Sequence, residues 1–201
     1  MTGYWTDFEV IRTENYLNPP SNNAFELIDG VGYGGNRGLS FNTDVYYFMK
    51  HRTLDASQTY GRMEMKVYIN NAVNAYRGFL VAPIYSGGDV EYGCGCIIRM
   101  NPTWMSVGNM NTDGNFSGTD NVLLATSNLT WYTLEFVWEE NGVNIDCTAT
   151  LYNDTKTSTI GTVSDSYATS TYWRGTDLGI LEYGGPATAA YIDDFKYYDS
   201  A

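Results

Sequence analysis

The chain has 201 residues and a formal net charge of −12, with 43% hydrophobic, 15% aromatic and only 17% charged residues. That length and apolar content suit one large β-domain over residues 1–201, with a sizeable core. The acidic balance and the lack of any Lys/Arg cluster exclude a nucleic-acid partner, which needs a basic stripe for phosphates, and no apolar run is long enough to insert in a membrane.

Along the chain, Met1-Thr2-Gly3-Tyr4-Trp5 has neither the basic flank nor the apolar core of a signal peptide. Either a secretion signal has been removed, or the protein reaches the outside by another route, such as virion assembly and lysis. Thr6-Asp7-Phe8-Glu9 reads as an acidic opening strand, and 38–43 as a strand led by glycine. Met63, Met65, Val67 and Ile69 alternate with Glu64, Lys66 and Tyr68, the period-two signature of a half-buried strand. Strands are predicted over 76–84, 96–100, 104–109 and 121–125. Leu134, Phe136 and Trp138 alternate with Glu135, Val137 and Glu139, then Asn141-Gly142 gives a hairpin signal, and Val143, Ile145, Cys147, Ala149 and Leu151 alternate again. The Thr/Ser/Tyr stretch 155–172 reads as loop. Strands over 177–181 and 190–198 close the chain. No amphipathic helix is evident, and Gly, Pro, Asn and Asp punctuate the runs densely. The pattern is all-β, an antiparallel two-sheet sandwich or jelly roll.

Cys94 and Cys96 face one side of their strand. They read as reduced core or loop cysteines, or as partners for a bridge to Cys147. Because His51 is the only histidine, a four-ligand N/S zinc site is not expected.

Asp193-Asp194 lies in the middle of the aromatic closing strand. A carboxylate stripped of water is costly, so a cation, backbone donors or a metal must compensate one of them. Asp7, Glu9, Asp193 and Asp194 form a candidate calcium (Ca2+) set joining the first and last strands, since calcium takes about six to eight hard oxygens. The alternative is that these acids face solvent on edge strands, with Lys196 or Arg12 nearby. An EF-hand is excluded: Asn111-Thr112-Asp113-Gly114-Asn115 has some residue types, but Val122 stands where a Glu is required.

Sugars present apolar C–H faces that stack on aromatic rings, while polar side chains take their hydroxyls. Trp131 and Trp138 read as core. Trp104 and Trp173 read as exposed, and Tyr85 and Tyr92 flank Ser86-Gly87-Gly88-Asp89. The candidate glycan-binding set is therefore Trp173, Arg174, Tyr85, Asp89, Tyr92 and Trp104; the competing reading is that each plugs an end of the sandwich. N-glycosylation patterns begin at Asn115, Asn128 and Asn153, as many as this composition gives by chance.

Five segments together resemble the concanavalin A-like lectin/glucanase jelly rolls, including laminin-G-like modules. They are Asp7-Phe8-Glu9, Gly35-Asn36-Arg37-Gly38-Leu39-Ser40-Phe41, Tyr60-Gly61-Arg62-Met63-Glu64-Met65-Lys66-Val67, Trp131-Tyr132-Thr133-Leu134-Glu135-Phe136 with Asn141-Gly142, and Ala190-Tyr191-Ile192-Asp193-Asp194-Phe195. Calcium-binding carbohydrate-binding modules of jelly-roll type share the first and last. The resemblance implies a lectin-like fold that also hosts glucanases and lyases. Glucanases of that family carry a Glu-x-Asp-x-x-Glu pattern, and this chain does not. Glu64 stands alone, Glu135, Glu139 and Glu140 read as a solvated face, and His51 lacks the Gln-x-His of a lyase.

The expectation is a non-catalytic binding module, outside the cell or on a virion surface as a capsid decoration or fibre module, with glycans or capsid and surface proteins as partners. The alternative is a secreted carbohydrate-binding module or polysaccharide-degrading enzyme. Exposed sheet edges leave a homo-oligomer open.

Overall fold

The computed structural model describes residues 9–12, 25–41, 47–53, 58–81, 84–86, 89–91, 94–110, 116–168, 177–184 and 190–198. The strands are β1 (Glu9–Arg12), β2 (Phe25–Ile28), β3 (Gly38–Phe41), β4 (Tyr47–Thr53), β5 (Tyr60–Ile69), β6 (Ala75–Val81), β7 (Ile84–Ser86) and β8 (Asp89–Glu91). They continue as β9 (Cys94–Met100), β10 (Thr103–Met110), β11 (Phe116–Leu123), β12 (Thr130–Asn141), β13 (Asn144–Asn153), β14 (Thr159–Ala168), β15 (Asp177–Gly184) and β16 (Tyr191–Tyr198). Among the described residues a 3-10 turn covers Tyr33–Gly35. No helix among the described residues is long and apolar enough to cross a membrane.

Two seven-stranded antiparallel sheets face each other. Sheet I runs β1-β4-β15-β6-β9-β10-β11 and sheet II runs β14-β13-β12-β5-β16-β3-β2, while β7 and β8 form a separate ribbon. Alternation explains the layering. Met63, Met65, Val67 and Ile69 on β5, with Leu134, Phe136 and Trp138 on β12, point inward and are fully buried. Phe79, Val81, Ile98, Met100, Met105 and Val107 meet them from sheet I, and the Phe79 ring stacks 6.4 Å from Phe136. Burying each such side chain contributes about 1.5–3 kcal/mol. Trp138 fits because Gly61 lies opposite it on β5; a Cβ there would stand 2.4 Å from the indole Nε1.

Arg77 is also fully buried on the inward face of β6, donating to the carbonyls of Tyr76 at 2.7 Å and Ala190 at 3.4 Å. The second contact joins sheet I to the start of β16.

Several expectations need correction. The loop-like 155–172 stretch contains the ten-residue strand β14, held by hydroxyl pairs Thr148–Ser164 at 2.9 Å and Thr150–Thr162 at 3.2 Å. The strand expected over 76–84 is two, β6 and β7, and that over 121–125 is the end of β11, which stops at Leu123. Trp131 is not core: its neighbour Tyr132 turns inward, and the indole lies on the outer face of sheet II. Of the expected opening strand 6–9 only Glu9 lies within the described residues, at the start of β1, which edges sheet I against β4, while β16 lies inside sheet II between β5 and β3. Cys94 and Cys147 form a disulfide between the sheets, which leaves Cys96 as a buried free thiol.

Candidate functional site on the outer face of sheet II

The adjacent acids Asp193 and Asp194 fit in one strand because β16 carries a bulge. Asp193 pairs in register with Lys66 and Lys196 with Glu64, so Met65 alone opposes both Asp194 and Phe195. The extra residue is Asp194, in a left-handed conformation with φ 52°. Ile192 and Phe195 therefore both face the core, and neither carboxylate has to.

Asp193 is satisfied by the backbone. Its Oδ2 accepts the Tyr33 N–H at 2.9 Å and its Oδ1 accepts the Asp194 N–H at 2.7 Å. Burial pushes its carboxyl above the ordinary value, and the two N–H donors pull it partly back. Gly32 makes room for this: a Cβ there would stand 2.7 Å from Oδ2. Asp194 pairs with Lys196 Nζ at 2.8 Å. Asp7 lies outside the described residues, as does the Glu9 side chain. Among the described residues no group of three or more His, Cys, Asp or Glu side chains is placed to hold a metal ion. Asp193 and Asp194, the two acids of the candidate calcium set whose side chains are described, each bond to protein donors.

Glu64 on β5 and Glu135 on β12 are direct cross-strand neighbours. Like charges so placed repel. Lys156 Nζ resolves the conflict by donating to Glu64 Oε1 and Glu135 Oε2, both at 2.8 Å. Arg62 Nε adds charge at 3.7 and 4.0 Å, and the Tyr152 hydroxyl donates to Glu135 Oε1 at 3.1 Å. Burial alone would raise Glu135, but Lys156 and Tyr152 outweigh it and hold its carboxyl below the usual range. Burial would likewise lower Lys156, but the two glutamates outweigh it and raise its ammonium.

Lys66 forms the floor beside them. Its Nζ donates to Thr133 Oγ1 at 2.8 Å and to the Asp154 carbonyl, and lies 4.3 Å from the Tyr33 ring centroid. Burial lowers its ammonium, with Asp194 and Asp154 pulling the other way. A cleft of about 220 Å³ opens between Tyr33, Lys66, Thr133, Asp154, Lys156 and Lys196. Aromatic rings continue from it. Tyr33 meets Trp131 edge-on at 6.0 Å, Trp131 lies 5.3 Å from Tyr68, and Tyr68 lies 5.7 Å from Tyr191.

On the outer face of sheet I, Arg99 is the register partner of both Tyr76 and Trp104. Trp104 meets Tyr76 edge-on at 5.8 Å, and the Arg99 guanidinium stands 5.5 Å over the Tyr76 ring.

No protein-family model matches the chain, and no curated protein sequence matches it. Solved structures do. A lectin from Griffonia simplicifolia superposes with a TM-score of 0.58 at 10% identity, over 92% of this chain and 97% of that one. A protein of unknown function from Shewanella oneidensis gives 0.55 at 13% identity, over 94% and 84%. A lectin from Bauhinia forficata, solved in complex with GalNAc, gives 0.54 at 11% identity, over 94% and 97%. The fold is a concanavalin A-like jelly roll.

Of the residues that the sequence suggests for this concanavalin A-like sandwich, Trp173, Arg174 and Tyr92 lie outside the described residues. Tyr85 and Asp89 sit on the β7–β8 ribbon, where Ser86 pairs with Asp89 across the expected turn; their side chains are not described. Trp104 is half-buried on the outer face of sheet I, joined by Tyr76 and Arg99, which the sequence reading passed over. Also missed were Tyr33, Lys66, Tyr68, Trp131, Lys156 and Tyr191. Alternation marks Lys66 and Tyr68 as outward-facing, but only the strand order shows what stands beside them. Glu64 does not stand alone, because Glu135 faces it. Their chemistry runs against acid–base work. A glycosidase needs one carboxyl held protonated beside an ionised one, whereas Lys156 bonds to both carboxylates.

Proposed function

We propose that this jelly roll is a non-catalytic surface module that binds glycans, displayed outside the cell on a virion as a capsid decoration or fibre element. The observation that carries the reading is the outward row Tyr76–Arg99–Trp104. It offers ring faces for sugar C–H surfaces and a guanidinium for hydroxyls, on a fold that several lectins share. Trp173, Arg174, Tyr85, Asp89 and Tyr92 complete the proposed platform. The low content of charged residues supports the surface setting, and the missing glucanase pattern supports a binding role over turnover.

A glycan array, run with and without chelator, tests it. Binding that falls about tenfold or more in Trp104→Ala supports the platform. Loss on chelation would support a calcium ion, with Asp7, Glu9, Asp193 and Asp194 as the candidate ligands. Turnover of a β-glucan or alginate would overturn the non-catalytic reading. Assembly onto particles without any sugar binding would leave capsid proteins as the partners.

A further inference from the structure

We propose that the cleft on the outer face of sheet II is a second saccharide site, and that it takes a neutral polyhydroxylated ring in preference to an acidic one. The inference rests on the glycan-binding reading but uses different residues, on the opposite side of the sandwich from Trp104.

Three properties of the cleft point this way. The first is the union of an aromatic strip with a polar hollow. Trp131, Tyr68 and Tyr191 lead into Tyr33, and Tyr33 is itself a wall of the cleft. A pyranose lies with its C–H face on such rings while its rim hydroxyls reach sideways. At about 220 Å³ the hollow is smaller than the cavities that enclose drug-sized ligands, and a single ring matches that scale.

The second is the charge pattern. The ammonium groups of Lys66, Lys156 and Lys196 are interleaved with Glu64, Asp154 and Asp194, with Lys156 and Lys196 each 2.8 Å from a carboxylate oxygen. A hydroxyl both donates and accepts. Neighbouring sugar hydroxyls therefore suit neighbouring donor and acceptor groups, one facing an ammonium and the next a carboxylate. A ligand carboxylate, sulfate or phosphate only accepts, and it would meet three carboxylates in a chain of net charge −12.

The third is pre-organisation. Asn153 ties down the 153–158 turn that walls the cleft. Its Oδ1 accepts the N–H groups of Thr157 at 2.8 Å and Ser158 at 3.0 Å, and its Nδ2 donates to Thr155 Oγ1 at 3.2 Å and Thr157 Oγ1 at 2.8 Å. Lys66 and Lys156 fasten the same turn to the sheet. A wall fixed in advance loses little entropy when ligand enters.

Saturation-transfer NMR on the full chain tests the proposal. The probes are glucose, galactose and mannose oligomers, with sialyllactose as the acidic comparison. The expected result is transfer to at least one neutral probe, which persists in Trp104→Ala and weakens about tenfold in Trp131→Ala. Asp154→Asn keeps the carbonyl that Lys66 uses, so the turn stays in place. It should weaken neutral binding several-fold and narrow the preference over sialyllactose. Transfer lost in Trp104→Ala but unchanged in both Trp131→Ala and Asp154→Asn would overturn this proposal and leave the first intact. Tighter binding of sialyllactose than of every neutral probe would overturn the ligand class. No transfer from any probe would overturn both.

Discussion

Glu64 and Glu135 face each other across neighbouring strands, and one ammonium, that of Lys156, bonds both. Their side chains are about a tenth exposed and that of Lys156 about a third, so solvent screens the cluster only in part. Lys156→Met should cost about 1–3 kcal/mol, from the lost bonds and from the repulsion left behind. The pH dependence has a definite sign. The folded value of Glu135 is lowered, so its contribution is present above the ordinary carboxylate range and is lost as pH falls through the lowered value. The folded value of Lys156 is raised, so its contribution is complete below the ordinary lysine value and fades as pH rises through the raised one. In Lys156→Met the acid limb should flatten, because Glu135 loses the ammonium that lowers its folded value while Arg62 and Tyr152 remain beside it. Melting temperatures between about pH 3 and 8 report this; an unchanged acid limb would argue against the cluster.

Asp193 acts through the backbone. Asp193→Ala should leave the Tyr33 N–H without its acceptor and cost about 1–3 kcal/mol. Hydrogen exchange at the Tyr33 amide should accelerate, while amides on β12 and β13 keep their protection. Exchange as slow as in the parent would mean that another group holds the turn.

Gly61→Ala would drive a methyl to within 2.4 Å of the Trp138 indole. Overpacking of this kind costs about 1–3 kcal/mol. Near-UV circular dichroism should lose part of its tryptophan signal while the far-UV strand signal persists. A stability equal to the parent would show that the indole can shift aside.

The cysteines divide into a joined pair and a sealed thiol. Burial pushes the Cys96 thiol far above its ordinary value, with a backbone contact to Phe79 offsetting only part of that. Maleimide should therefore label nothing in the folded protein, and after unfolding without reductant it should label Cys96 alone. Cys94→Ser with Cys147→Ser should cost about 2–4 kcal/mol. Labelling of Cys94 or Cys147 in the unreduced chain would contradict the pairing.

The strands with apolar inward faces were legible from sequence. β5, β12 and β13 follow the alternation of Met63 to Ile69, Leu134 to Trp138 and Ile145 to Leu151, and Gly142 takes the positive φ of 68° that Asn141-Gly142 signals. β14 was hidden because its outward residues are threonines and serines, which also compose loops; what holds them is the hydroxyl ladder on β13. Trp131 was misplaced because one tryptophan in a strand does not declare its face until the phase against Tyr132 is known. The cleft was illegible for a deeper reason. Its members come from β5, β12, β16 and two turns, and only register brings Glu64 to Glu135 or Asp193 to Lys66.

The additional residue in β16 works as a phase shifter. Were the same residues laid out without the bulge, Phe195 would rotate away from the side Ile192 occupies, Lys196 would turn toward the space beneath Met65, and Tyr197 would surrender its place against the apolar interior. Deleting Asp194 would instead restore strict alternation, leaving Phe195 inward and Lys196 outward and removing only one negative charge with its ion pair.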